Sequence, residues 1–275
     1  LLQRSGVGPA EWLEPHQIPV RLSVDGVGRN LQDHLQIRTV YQVDGAPTVN
    51  TLYRNPLTRL GMGLEYLLFR SGPMTMPPST LGAFAKSDPQ QPSANLEWHL
   101  QPLSLPKFGE PLHPFGAITP SVCNLRPSSR GTLSLRDADP LSPPRIDCQY
   151  LSTEEDLQVA LAGLKMTREI MRRPALAAYH PRELLPGPQR LTDEDLIESA
   201  RALGTTIFHP VGSCAMGREG SPGAVLDTDL RFRGIENLRV VDASAMPSIT
   251  SGNTNAPVML IAERAARSMG QDIGL

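Results

Sequence analysis

The chain has 275 residues, 40% of them hydrophobic, with 26 Lys plus Arg against 28 Asp plus Glu. That length holds one or two domains with sizeable cores, and a net charge of −2 without a long run of either sign excludes the electrostatic footprint of a nucleic-acid binder. No apolar run reaches the roughly 18 to 20 residues of a spanning helix, and three cysteines without Cys-x-x-Cys spacing support neither a disulfide framework nor a cysteine zinc site; a cytoplasmic protein acting on a small molecule is expected.

In chain order, Leu1 to Pro9 reads as a helix end closed by a glycine turn, at Ser5-Gly6-Val7-Gly8. A chain that opens there, on Leu instead of Met, is expected to be the continuation of a longer one. Ile18-Pro19-Val20 is predicted to be extended, and Asp25-Gly26-Val27-Gly28 to form a tight loop. From Ile37 to Cys148 prolines are frequent. Segments 94–100 and 131–136 alternate polar with apolar residues, which predicts a sheet with one face on a core or site. Leu60 to Arg70 is the helix candidate between them.

Ser152-Thr153-Glu154-Glu155 supplies a capping box for a helix to about Arg172, with Leu157, Leu161, Leu164 and Met171 near one face. Thr192 starts another helix, with Asp193, Glu194 and Asp195 at its positive dipole end. Glu236 to Asp242 is predicted as a short buried strand and Pro257 to Met269 as a closing helix with proline in its first turn. The fold class is α/β in the broad sense that includes α+β.

The chemistry concentrates near the end of the chain. Of six histidines, His209 stands out, because the extended run Thr205-Thr206-Ile207-Phe208 leads into it and Pro210 and Gly212 turn the backbone away. An imidazole displayed at a strand end is a candidate proton acceptor. No histidine or cysteine sits at short ligand spacing from it, so no metal is expected. Asp242 closes an apolar run. Its plainer reading is an Asx turn, and its functional reading is a carboxylate beside a cofactor at a strand end. The loop Ser251-Gly252-Asn253-Thr254-Asn255-Ala256-Pro257 runs into a helix whose first N–H groups can face an anion or an electron-rich ring. By themselves Asn253 and Asn255 read as capping or turn amides.

Gly26-Val27-Gly28 has Leu31 where a dinucleotide fingerprint needs its third glycine, and Ser213 is not in a Gly-x-Ser-x-Gly elbow. Neither a complete nucleotide-binding domain nor acyl transfer is indicated. Glu97, Trp98 and His99 lie on an alternating segment that reads as an ordinary half-buried strand, though alternate side chains there can face a pocket.

Five segments, in order, resemble the glucose-methanol-choline (GMC) oxidoreductases: Leu1 to Pro9, Gly26 to His34, Arg126-Pro127-Ser128-Ser129-Arg130-Gly131, the block around His209, and Asp242 to Pro257. The resemblance implies the C-terminal part of a two-domain FAD-binding fold. It implies a remnant of the FAD domain over 1–37, an antiparallel substrate-domain sheet with helices over 38–212, and a return to the FAD domain over 213–275. It implies oxidation of an alcohol by hydride transfer to flavin N5, with His209 as proton acceptor and Asn253 as the second active-site residue. Asp242, Ala243, Asn255 and Pro257 would line the FAD. Asn at 253 is similar to the choline-dehydrogenase-like branch.

The resemblance fixes neither the alcohol, nor O2 against a quinone-type carrier as electron acceptor, nor the oligomeric state. The family's N-terminal glycine fingerprint is missing, so poor FAD binding by this stretch alone and exposed apolar surface are expected. The alternatives are a non-redox relative such as a hydroxynitrile lyase, and a non-catalytic fragment or binding module.

Overall fold

The computed structural model describes residues 1–272 apart from Pro78 and Phe108. The chain divides into two compact units, one of Leu1–His34, Leu125–Asp156 and Thr206–Leu275, the other of Leu35–Asn124 and Leu157–Thr205.

The second unit is built on an antiparallel sheet. Its central strand Ala117–Asn124 pairs on one edge with Leu96–Gln101, which pairs outward with Leu81–Ala85. On the other edge lie Leu35–Arg38 and Val40–Gln42, which keep one register along the central strand, from Gln36 opposite Cys123 to Gln42 opposite Ala117. The interruption at Thr39 faces Pro120, which has no N–H to give to the ladder. The Thr39 hydroxyl donates to the Pro120 carbonyl at 2.6 Å instead. Arg182–Leu185 and Gly204–Thr206 complete the seven strands.

Strand alternation gives this sheet two chemically different faces. Leu96, Trp98, Val122 and Ile37 are buried on one, where the helix Glu154–Met171 packs. Gly163 on that helix has Val122 and Leu96 so near that a Cβ would come within 3.0 Å of Val122, and the Trp98 indole donates to Thr167 at 2.8 Å. Leu161, Leu164 and Met171 are buried as their spacing predicts. Gln36, Glu97, His99 and Ser121 occupy the opposite face. Glu97 Oε1 lies 2.9 Å from His99 Nε2, and Gln36 Nε2 lies 2.9 Å from His99 Nδ1. Trp98 thus packs into the core, while its two neighbours, buried Glu97 and half-buried His99, form a polar pair on the other face.

Helix ends follow local chemistry. Asp193–Leu203 begins with the expected cap at Thr192, whose hydroxyl accepts the Asp195 N–H while the Asp195 carboxylate accepts the Thr192 N–H. The helix Glu154–Met171 is capped by Thr153, which accepts the Asp156 N–H at 3.3 Å. Asp156 is drawn off to hold Ser128 and Ser129 through their N–H groups, both at 2.9 Å. The expected 60–70 helix runs from Pro56 to Phe69, has no buried residue, and exposes Leu57, Leu60, Leu64, Leu67, Leu68 and Phe69.

The first unit has little regular structure. One core cluster gathers Val7, Val27, Cys214, Val225, Leu226, Leu230, Phe232, Ala245 and Ala265, and a second joins Val211, Met246 and Ile249 with Ala243, Val258 and Ile261. The second cluster sets the site, because it packs the turn after His209 and the segment after Asp242 onto the closing helix, Asn255–Asp272. Each such buried aliphatic side chain contributes about 1.5–3 kcal/mol. That helix begins two residues earlier than expected, with Pro257 inside its first turn. The buried strand expected over 236–242 is, among the described residues, a half-buried segment held by a single bridge from Arg231 to Arg239. Its apolar run is real, but Leu238–Asp242 borders an open cleft where a neighbouring strand would be needed to make a ladder.

Candidate active site

His209 sits in a turn whose shape comes from four residues. The strand ends at Thr206, whose hydroxyl accepts the Phe208 N–H at 2.8 Å. Phe208 then takes a left-handed conformation, φ 63°, with its side chain 76% exposed, so the extended run expected to reach His209 stops short of it. Pro210 follows, and Gly212 has φ 91° with the Asn30 carbonyl 2.3 Å from where a Cβ would stand. Only glycine satisfies both conditions.

The loop before His34 is stitched to this turn. Gln32 and Val211 exchange backbone hydrogen bonds at 3.0 and 2.8 Å, and the Ile207 N–H donates to the His34 carbonyl at 3.3 Å. That ladder sets two consecutive side chains on His209. Asp33, 5% exposed, accepts the His209 N–H at 2.9 Å, the Thr206 hydroxyl at 2.5 Å and the Tyr150 hydroxyl. His34, fully buried, has Nδ1 3.0 Å from His209 Nδ1 and Nε2 3.1 Å from the Leu125 carbonyl. The two rings meet edge-on, centroids 5.2 Å apart. Burial, and then the hydrogen bond to Asp33, hold the Tyr150 phenol above the usual tyrosine range, which keeps it a proton donor to that carboxylate.

Asp242 heads a short 3-10 turn, Ala243–Ala245, and its Oδ1 accepts the Ser244 N–H at 2.8 Å and the Ser244 hydroxyl at 2.5 Å. This is the Asx-type arrangement of the plainer reading. The turn borders a cleft of about 610 Å³ whose walls include Gly28, Ser213, Leu238, Val240 and Val241. Backbone bonds from Cys214 to Ser244 and from Met216 to Ala245 tie it to the segment after His209. The loop before His34 reaches here as well: the Asn30 amide donates to the Pro247 carbonyl at 3.1 Å, and Gln32 Oε1 accepts the Ile249 N–H at 3.0 Å. Asn253 is exposed just before the closing helix. Asn255 and Pro257 lie in its first turn, ahead of the first helical bond, from Val258 N to Thr254 O.

The structure thus gathers His209, Asp242, Ala243 and the start of the closing helix into one unit, with Asn253 at its surface. Asp33, His34 and Tyr150 are absent from the candidates that the sequence supplies. A polar pair immediately before a strand, Asp33-His34, is the available signal, but its partners lie 91 to 176 residues away.

A GMC oxidoreductase family model matches residues 127–262. Two relatives match at 39% identity over 97% of this chain: an alcohol dehydrogenase [acceptor] of Pseudomonas putida, of which the chain covers 48%, and the mitochondrial choline dehydrogenase of Mus musculus, of which it covers 44%. Among solved structures, pyridoxine 4-oxidase from Mesorbium loti superposes with a TM-score of 0.79 at 29% identity, over 98% of this chain and 48% of that one. The chain belongs to the GMC oxidoreductases. It spans about half the length of the curated relatives it matches. Among the described residues, no helix is long and apolar enough to cross a membrane.

Proposed function

We propose that this chain is the C-terminal part of an FAD-dependent enzyme that oxidises alcohols, with His209 as the group that takes the hydroxyl proton. The observation that carries the reading is the clamping of His209. Its backbone N–H is fixed by a buried carboxylate and its ring by a buried imidazole, an investment in orientation that a surface histidine does not need.

The residues present fit part of an FAD. The 610 Å³ cleft offers an apolar wall at Val240 and Val241 beside the polar turn of Asp242 and Ser244, suited to a flat ring or ribityl chain with hydroxyls at one end. The closing helix has Asn255, Ala256 and Pro257 in its first turn, with Asn255 and Ala256 exposed, and its unpaired N–H groups there carry the positive dipole end. Asp242, Ala243, Asn255 and Pro257 are the residues proposed to hold the group, which when bound would supply the hydride acceptor.

The chain's own part is proton handling and orientation. The imidazole of His209 accepts the hydroxyl proton, and the oxygen left behind carries alkoxide charge that needs a donor until the carbon–hydrogen bond breaks and the carbonyl forms. The exposed amide of Asn253 is proposed as that donor. The alcohol is proposed to be a primary alcohol or choline, after the relatives' activities.

The test is the His209→Gln variant of the complete flavin-loaded protein, mixed rapidly with alcohol. Flavin content should stay at the wild-type level while reduction slows by at least about 100-fold. Reduction at the wild-type rate would overturn the role of His209.

A further inference from the structure

We infer that His34 is a positioning residue that sets the tautomer of His209, leaving the lone pair of the His209 ring on Nε2. The inference rests on the reading of His209 as the proton acceptor and adds the means by which the ring is prepared for that task.

The Leu125 carbonyl can only accept, so the nitrogen 3.1 Å away, His34 Nε2, carries a hydrogen. His34 is fully buried, and a second proton would place a charge where water does not reach. Its neighbour in the chain, the Asp33 carboxylate, is committed to the His209 N–H and to two hydroxyls. The neutral ring of His34 therefore presents Nδ1 as an acceptor. The atom facing it at 3.0 Å is His209 Nδ1, which must supply the hydrogen. A neutral His209 that donates from Nδ1 has its lone pair on Nε2, at the opposite side of the ring.

Free imidazole side chains in water favour the other tautomer, with hydrogen on Nε2. Without His34, part of the neutral His209 population would carry its hydrogen on the nitrogen that has to receive one. Protonation of His209 Nε2 during the reaction keeps the Nδ1–H to His34 in place, so the same bond holds the ring before and after proton transfer. His34 thus acts through His209 and needs no contact with the substrate.

The experiment uses the complete flavin-loaded protein with 15N-labelled histidines, with the His209 resonances assigned from the His209→Gln variant. At a pH where the ring is neutral, His209 Nδ1 should resonate as a protonated nitrogen and Nε2 as a bare one. In His34→Leu, which keeps bulk and removes the acceptor, the pattern should shift toward Nε2–H. Flavin reduction should slow about 10- to 100-fold, with substrate affinity within about twofold of wild type. His34→Asn, whose amide oxygen can accept from Nδ1, should restore most of both signals.

A wild-type His209 protonated on Nε2 would overturn the inference, and that reading needs no variant to fold. An unchanged tautomer in folded His34→Leu would overturn it too. A shifted tautomer with an unchanged reduction rate would support the role of His34 and count instead against His209 as proton acceptor.

Discussion

The backbone N–H of His209 donates to Asp33 Oδ1 at 2.9 Å, joining two residues 176 positions apart in the chain. The same carboxylate holds the hydroxyls of Thr206 and Tyr150, so one buried side chain fixes the strand end, the turn and a neighbouring loop. Asp33→Ala would leave one backbone donor and two hydroxyls short of a partner in a buried place. Each unsatisfied group costs about 1–3 kcal/mol, so with some relaxation a loss of about 2–4 kcal/mol is expected. Urea unfolding of the variant measures it directly, and a loss below about 1 kcal/mol would show that water replaces the carboxylate.

Gly212 ties the same turn to the Asn30 loop. Its φ of 91° is one that side chains avoid, and a Cβ placed on it would stand 2.3 Å from the Asn30 carbonyl. Gly212→Ala should destabilise by about 2 kcal/mol or more and pull His209 away from Asp33 and His34. Thermal melts together with flavin-reduction rates would detect both effects. A variant that melts and turns over like the wild type would mean that the turn can re-form without the close approach.

How much of this is legible in the sequence depends on the range of the interaction. The helix Asp193–Leu203 is readable because its cap, its acidic first turn and its apolar face all lie within a dozen residues. The Asx turn of Asp242 is readable for the same reason, its partner being two residues on. The apolar run 236–242 misleads, because strand formation also needs a neighbour, and the run alone cannot show that Leu238–Asp242 borders a cleft. Asp33 and His34 stand inside the Gly26–His34 segment, yet their partners lie in stretches that only the fold brings near. Proline and glycine flank His209 and mark it locally, whereas the two groups that orient it carry no such mark.

Cys214 gives a prediction in alkali. Burial pushes its thiol up to about 11, against a partial offset from its hydrogen bond with Ser244. The unfolded chain therefore gives up this proton near pH 9 while the folded chain keeps it, so the contribution is complete below about pH 9 and is lost as pH rises toward 11. A shift of this size corresponds to about 2–3 kcal/mol as an upper limit. Denaturant unfolding at about pH 7.5 and about pH 10.5, on either side of the unfolded thiol's range, should show a smaller loss in Cys214→Ala than in the wild type. Equal losses in the two proteins would remove Cys214 as a source of alkaline sensitivity.

The buried Glu97 and the half-buried His99 pair on the polar face of the sheet, and Glu97 Oε2 is buried with no hydrogen-bond partner among the described residues. Removing one member should therefore hurt more than removing both. His99→Leu takes the hydrogen-bond donor away from Glu97 and is expected to cost about 1–3 kcal/mol, while Glu97→Met with His99→Leu should recover more than half of that. A double-mutant cycle by urea unfolding measures the coupling. Additive single effects would show that the pair contributes no interaction of its own.

The measurement that bears most directly on the central claim is an anaerobic titration of the complete protein, purified with its flavin, while the visible spectrum is followed as choline and then a series of primary alcohols are added. The oxidised flavin bands should bleach with at least one of these alcohols, and the His209→Ala protein, carrying the same flavin, should stay oxidised over the same time. A protein that holds flavin and is reduced by none of them, or a His209→Ala variant that bleaches as fast as the wild type, would contradict the account.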